Sequence, residues 1–214
     1  MGKLKNSLGG YTGKLGPTTA YKLNGKPVIR TVGKITKKPT TGKLAQWQKT
    51  SLTNSFLKSI KDFIKVGYHL EGLQKDQNYF NAAASVNRKG VRGEYPNQYL
   101  DYSHLLVAKG NMPPPLRPTV ETKEDGITFT WEADLQTPGT RKTDLVMVLA
   151  YFPEHNRAIF LRSGERRTVE SQHLPLPNFE KPSILHTYIS FIAEDHSKIS
   201  DSLYINQMIW AENR

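Results

Sequence analysis

Six histidines, His69, His104, His155, His173, His186 and His196, are the side chains of this chain best suited to proton transfer or metal ligation. No two stand at the i, i+4 or His-x-His spacing of a metal pocket, and no H-E-x-x-H occurs. Each is therefore read first as a surface or packing histidine. The paired carboxylates Glu124-Asp125 and Glu194-Asp195 fall at predicted turns, where Asx-turn formation accounts for them. His186 and Tyr188 share one face of a predicted strand and are placed to line a site, with no third partner in view. There is no G-x-S-x-G, and the absence of cysteine removes thiol catalysis, disulfides and cysteine-ligated zinc. The expectation is a non-enzymatic protein without catalytic residues, metal or cofactor.

Glycine beside lysine raises the question of phosphate binding. A P-loop needs G-x-x-x-x-G-K-[ST], because its amides and its lysine must converge on one nucleotide. Gly13-Lys14 has Leu8 and Leu15 in place of the first glycine and the hydroxyl, and Gly42-Lys43 has Lys37 and Leu44 there. What remains is unspecific electrostatics. The net charge is +11, and it is unevenly spread: residues 1–110 carry 19 basic and 5 acidic side chains, whereas the remainder carries 11 and 14. Twelve lysines and Arg30 precede the first acidic residue, Asp62. Such a block suits nucleic acid or an acidic protein surface, a solvated basic face being the plainer alternative. Lys14, Lys22, Arg30, Lys34, Lys37 and Lys38 are the candidate anchors for the polyanion, and Tyr11 and Tyr21 the candidate stacking partners for exposed bases. Lysine so outnumbers arginine in this stretch that sequence-specific base readout is not expected.

These residues need elements to hold them. Residues 1–42 contain eight of the sixteen glycines and form a basic arm. Within it, Thr18 to Leu23 and Lys26 to Thr31 flank Asn24-Gly25, the preferred pair for a type I′ turn, which predicts a β-hairpin with Pro27 near the turn or on an edge. A basic amphipathic helix follows from an N-cap at Thr41, with Leu44, Trp47, Leu52, Phe56, Ile60, Phe63 and Ile64 on its apolar side. Lys43, Lys49, Lys58, Lys61 and Lys65 occupy its other face. After a loop from Gly67 to Lys75, a second helix is expected over Asp76 to Arg88, and Asn97 to Ala108 reads as strand-like. Together 43–112 make a helical basic module, and the proline run 113–118 makes a semi-rigid linker.

Beyond the prolines the pattern is all-β. Ile127, Phe129 and Trp131 alternate with polar residues, and strands are expected over Asp144 to Phe152, Ala158 to Leu161, Thr168 to Leu176, Leu185 to Ala193 and Ser202 to Ile209. The fold class is accordingly an α+β N-terminal module followed by an all-β sandwich over 119–210. Trp131, Tyr151, Leu174, Leu176 and Tyr188 stand in an order that resembles a fibronectin type III domain, and the resemblance implies that they pack the two sheets together. Phe191 and Ala193 are one residue out of phase with Tyr188 in this comparison. The whole chain also resembles a family of uncharacterised proteins from Bacteroidetes. Gly25-Lys26 with Arg30, Lys38-Pro39-Thr40-Thr41, Tyr95-Pro96, Asp101-Tyr102-Ser103, Thr130-Trp131 and Ser200-Asp201-Ser202-Leu203-Tyr204 carry that likeness.

The functional expectation is a two-module binding or structural protein whose basic half contacts a polyanion or an acidic protein surface and whose sandwich supplies a protein contact or a spacer. A component or cargo of a phage-like or injection-type particle is the alternative, followed by ribosome or chromosome association. The longest apolar run, Leu145 to Phe152, is too short to span a bilayer, and no signal peptide is visible, so the expected location is the cytoplasm or a particle assembled there.

Overall fold

Short strands and tight glycine turns build the beginning of the chain. The computed structural model describes residues 2–3, 12–23, 25–34 and 38–211. Four antiparallel strands, β1 (Gly2–Lys3), β2 (Gly13–Leu15), β3 (Thr18–Leu23) and β4 (Lys26–Thr31), form one sheet in the order β1-β4-β3-β2. Gly25 turns the β3–β4 hairpin at φ +76°, a conformation that costs glycine nothing; Asn24 lies outside the described residues. Pro27 adjoins this turn, outside the two pairs that β1 makes with Val28 and Ile29, so its missing N–H costs no bond to β1. This sheet belongs to a unit covering residues 1–43, in which Ala20 and Val28 are the only buried apolar side chains among the described residues.

The second unit covers residues 44–214. Its helices are α1 (Thr41–Ser59, beginning just before the division), α2 (Lys61–Gly67), α3 (His69–Gln74) and α4 (Tyr79–Asn87). Its strands include the short pair β5 (Val91–Arg92) and β6 (Tyr99–Leu100). A three-stranded sheet of order β11-β8-β7 follows, from β7 (Leu116–Lys123), β8 (Gly126–Glu132) and β11 (Ser171–Pro175). A four-stranded sheet has the order β10-β9-β12-β13, from β9 (Leu145–Phe152), β10 (Arg157–Leu161), β12 (Ser183–Ile192) and β13 (Leu203–Trp210). All pairings of named strands are antiparallel, and the whole is an α+β fold.

Strand alternation sends the four-stranded sheet into two cores. Val146, Val148, Ala150, Phe152, Leu185, Ile189 and Phe191 meet Ile127, Phe129, Trp131 and Leu174 of the other sheet. Met147, Leu149, Tyr151, Tyr188 and Ile192 meet Phe56, Leu57, Phe63 and Ile64 of the helices. Three layers result, and β9, buried on both faces, reads as an unbroken apolar run for that reason. Edge-to-face contacts join the helical layer to the sheet, Phe56 to Tyr151 at 4.9 Å and Phe63 to Phe160 at 5.6 Å between ring centroids.

The helices are not a separate module, because their apolar faces bury against the sheet inside one unit. Nor are 113–118 a linker between modules: Met112 bridges to Ser200, the Pro113 carbonyl accepts from Arg167 Nη2 at 3.1 Å, and β7 already begins at Leu116. The long helix breaks at Ile60, and its cap is Thr40 rather than Thr41, since the Thr40 hydroxyl accepts from the Lys43 N–H at 3.3 Å. The expected loop after Gly67 is helical as α3, where Gly72 lets the chain pass against the backbone of Gln77 and Tyr79. Most of Asn97 to Ala108 is not strand. Its backbone bonds to side chains instead, Leu106 to the Asn87 amide at 2.8 Å in both directions and the Val107 N–H to the Ser202 hydroxyl at 2.8 Å. Tyr151 and Tyr188 face the helices, not the other sheet; Ile189 and Phe191, odd where Tyr188 is even, take the inter-sheet side. Trp131, Leu174 and Leu176 do pack between the sheets.

Candidate polyanion-binding face

Cross-strand register decides which cations of the first unit act together. Directly paired residues of an antiparallel sheet project from the same face. Lys14 pairs with Thr19 and Thr19 with Arg30; Tyr21 pairs with Val28, and Leu23 with Lys26. These rows alternate with those of Thr18, Ala20 and Lys22, so Lys14, Lys26 and Arg30 share one face with Tyr21, and Lys22 points from the other. The Arg30 guanidinium carbon lies 5.7 Å from the centroid of the Tyr21 ring, a cation–π contact that holds both planar groups at the surface. Lys14, Lys26 and Arg30 are exposed, and Tyr21 is half-buried.

The remaining anchors follow the sheet. Lys34 and Lys38 are exposed residues outside any strand or helix, and Lys37 lies outside the described residues, as does Tyr11. Lys26 was not among the sequence-derived anchors; the hairpin register was the signal that places it with Arg30. No acidic residue occurs before Asp62, so this face has no carboxylate from its own unit to neutralise it. The chemistry it offers is phosphate or carboxylate contact by three cations beside one aromatic platform.

The second unit holds two arrangements of polar groups that sequence reasoning raised or missed. His186 is 6 % exposed, its Nδ1 is 3.1 Å from the Tyr204 hydroxyl, and its ring stacks on Tyr102 at 4.2 Å. Burial pulls its pKa down to about 4, which keeps it neutral. Tyr188, two residues on, is fully buried, donates to the Tyr102 carbonyl at 2.7 Å, and is held by burial far above the usual tyrosine range. The pair is packing, not an accessible acid and base. Missed altogether was a buried ion pair: Arg167 Nε bonds Asp144 Oδ2 at 3.3 Å, with the guanidinium 3.8 Å over the Phe191 ring. Burial lowers the Arg167 pKa, and Asp144 opposes that effect. Among the described residues no group of three histidines, cysteines or acids is placed to hold a metal ion. Asp195 accepts from the Ser197 N–H at 2.9 Å, the Asx turn expected of Glu194-Asp195.

The model of a family of unknown function, DUF6266, matches residues 10–206. The chain belongs to that family. The DUF6266 match takes in β2, β3 and β4 with the basic face, and runs through the layered unit into β13. No curated protein matches the chain. No helix among the described residues is long and apolar enough to cross a membrane.

Proposed function

We propose that this DUF6266 protein is a non-enzymatic binding or structural protein whose first unit grips a polyanion, nucleic acid foremost. The observation that carries the reading is the convergence of Lys14, Lys26 and Arg30 on one sheet face beside Tyr21. Lysines and a single arginine neutralise phosphates without reading base edges, so binding is sequence-tolerant and weakens with salt as counterions reassociate. Lys34 and Lys38, exposed beyond β4, extend the contact along a strand. The cytoplasm is the compartment this reading implies, and the Bacteroidetes likeness of the sequence the source.

For the second unit we propose a fibronectin type III-like sandwich carrying a helical layer. Three strands of order β11-β8-β7 across from four of order β10-β9-β12-β13, with Trp131, Leu174 and Leu176 between them, support it. The outward-turned Tyr151 and Tyr188 are its departure from that pattern, and the helices are what they cover.

The test is purification of the full chain without nuclease on a sizing column, at low and high salt, reading absorbance at 260 and 280 nm. Co-eluting nucleic acid that leaves with salt is the expected result. A clean protein peak at low salt overturns the nucleic-acid reading and makes an acidic protein surface the partner to test.

A further inference from the structure

A cleft of about 200 Å³ lies in the second unit between the helical layer and the turn that joins β12 to β13. Its lining divides sharply by chemistry. Val66, Leu70, Ile192 and Ile199 give an apolar floor, Ile192 and Ile199 being buried and bridged to one another across the turn. The polar groups around it are Lys65 and His69 from the helices, Arg162 after β10, and His196 from the turn. All four are cations or imidazoles, and no carboxylate lines the cleft. Lys65 and Arg162 take no ion pair among the described residues. The nearest acids in sequence to His196 are engaged elsewhere: Glu194 lies 3.7 Å from Arg166, and Asp195 is 3.6 Å from Arg141 and caps Ser197.

We propose that this cleft binds a small organic anion with an apolar body. The anionic group sits among Lys65, Arg162, His69 and His196, and the apolar body covers Val66, Leu70, Ile192 and Ile199. The cleft is held open before a ligand arrives, because the turn is fixed by the Ala193 N–H to Lys198 carbonyl bond at 2.9 Å and by Asp195 on Ser197. Its size limits the ligand to a fragment, well under the ~300–1,000 Å³ of sites for larger molecules. Charge alone is weak at such exposed cations, and an apolar floor alone has no preference for an anion; the two together select a short carboxylate over either an alcohol or bare phosphate. This site is independent of the basic face of the first unit.

The experiment is a chemical-shift titration of the full chain with three probes: hexanoate, 1-hexanol and inorganic phosphate. Hexanoate is expected to give saturable shifts at the amides of Val66, His69, Ile192 and His196, with 1-hexanol and phosphate at least tenfold weaker. Arg162→Ala and Lys65→Ala, both at exposed positions, are each expected to weaken hexanoate at least threefold without moving distant resonances. Shifts that do not saturate, that centre elsewhere, or that persist unchanged in both variants overturn the proposal. Phosphate binding as tightly as hexanoate overturns it too, because the apolar floor would then play no part.

Discussion

Replacing Asp144 by Asn leaves the Arg167 guanidinium buried without its counter-charge. The two side chains are 1 % and 0 % exposed, so neither can recover solvation while the fold persists. Breaking a buried ion pair from one side costs about 3–5 kcal/mol. The lower end applies, because Arg167 Nη2 keeps the Pro113 carbonyl and the guanidinium keeps the Phe191 ring beneath it. With a urea dependence of about 2 kcal/mol per molar, a 3 kcal/mol loss lowers the unfolding midpoint by roughly 1.5 M. Urea titration followed by tryptophan fluorescence reads this directly, since Trp131 Nε1 donates to the Arg167 carbonyl at 2.8 Å. The double variant Asp144→Leu, Arg167→Met removes both charges and is expected to recover most of the loss. A midpoint shift of less than about 0.3 M in Asp144→Asn would refute the burial argument, given the size of the penalty it predicts.

Three further outcomes follow from the second unit. His186 has its folded pKa lowered from 6.5 to about 4, so above pH 6.5 both states are neutral; as pH falls the unfolded state alone takes the proton. Stability relative to a His186→Asn variant therefore falls by about 3 kcal/mol between pH 6.5 and 4, and parallel urea curves for the two proteins would show the reasoning wrong. Asn87→Leu orphans the Leu106 N–H, while the Leu106 carbonyl keeps the Tyr68 hydroxyl at 2.9 Å, and is expected to cost about 1–3 kcal/mol by chemical denaturation. In Gly110→Ala the new methyl would overlap the Ile199 carbonyl, so a loss of about 1–3 kcal/mol is expected, visible as a lower melting temperature.

What could be read from the sequence was local. The hairpin over Thr18 to Thr31 was legible because turn chemistry and short strands are properties of neighbours, and the inter-sheet role of Trp131 because one face of β8 alternates with polar residues. The placement of Tyr151 and Tyr188 was not, since β9 and β12 are buried on both faces and period two alone does not say which core a residue enters. Likewise Asn97 to Ala108 reads as strand-like because Tyr99, Tyr102, Leu105 and Val107 are available for packing, yet the groups that satisfy its backbone, Asn87 and Ser202, are distant in sequence. The basic face was half legible. The lysines were visible as a run, but only register separates Lys22 from Lys14 and Arg30 and adds Lys26. The cleft at Lys65, His69, Arg162 and His196 left no local signal, as helix, strand end and turn each supply part of it.

Polyanion binding by the shared face of Lys14, Lys26 and Arg30 is read out by salt-dependent binding to a short DNA duplex. The triple variant Lys14→Ala, Lys26→Ala, Arg30→Ala removes three candidate phosphate contacts, each contributing about 0.9 to the slope of log K against log salt. The triple variant is expected to bind more weakly, with a slope shallower by close to 3. Lys22→Ala, on the opposite face, is predicted to leave the slope nearly unchanged. A triple variant with the wild-type slope would mean that this face does not hold the polyanion.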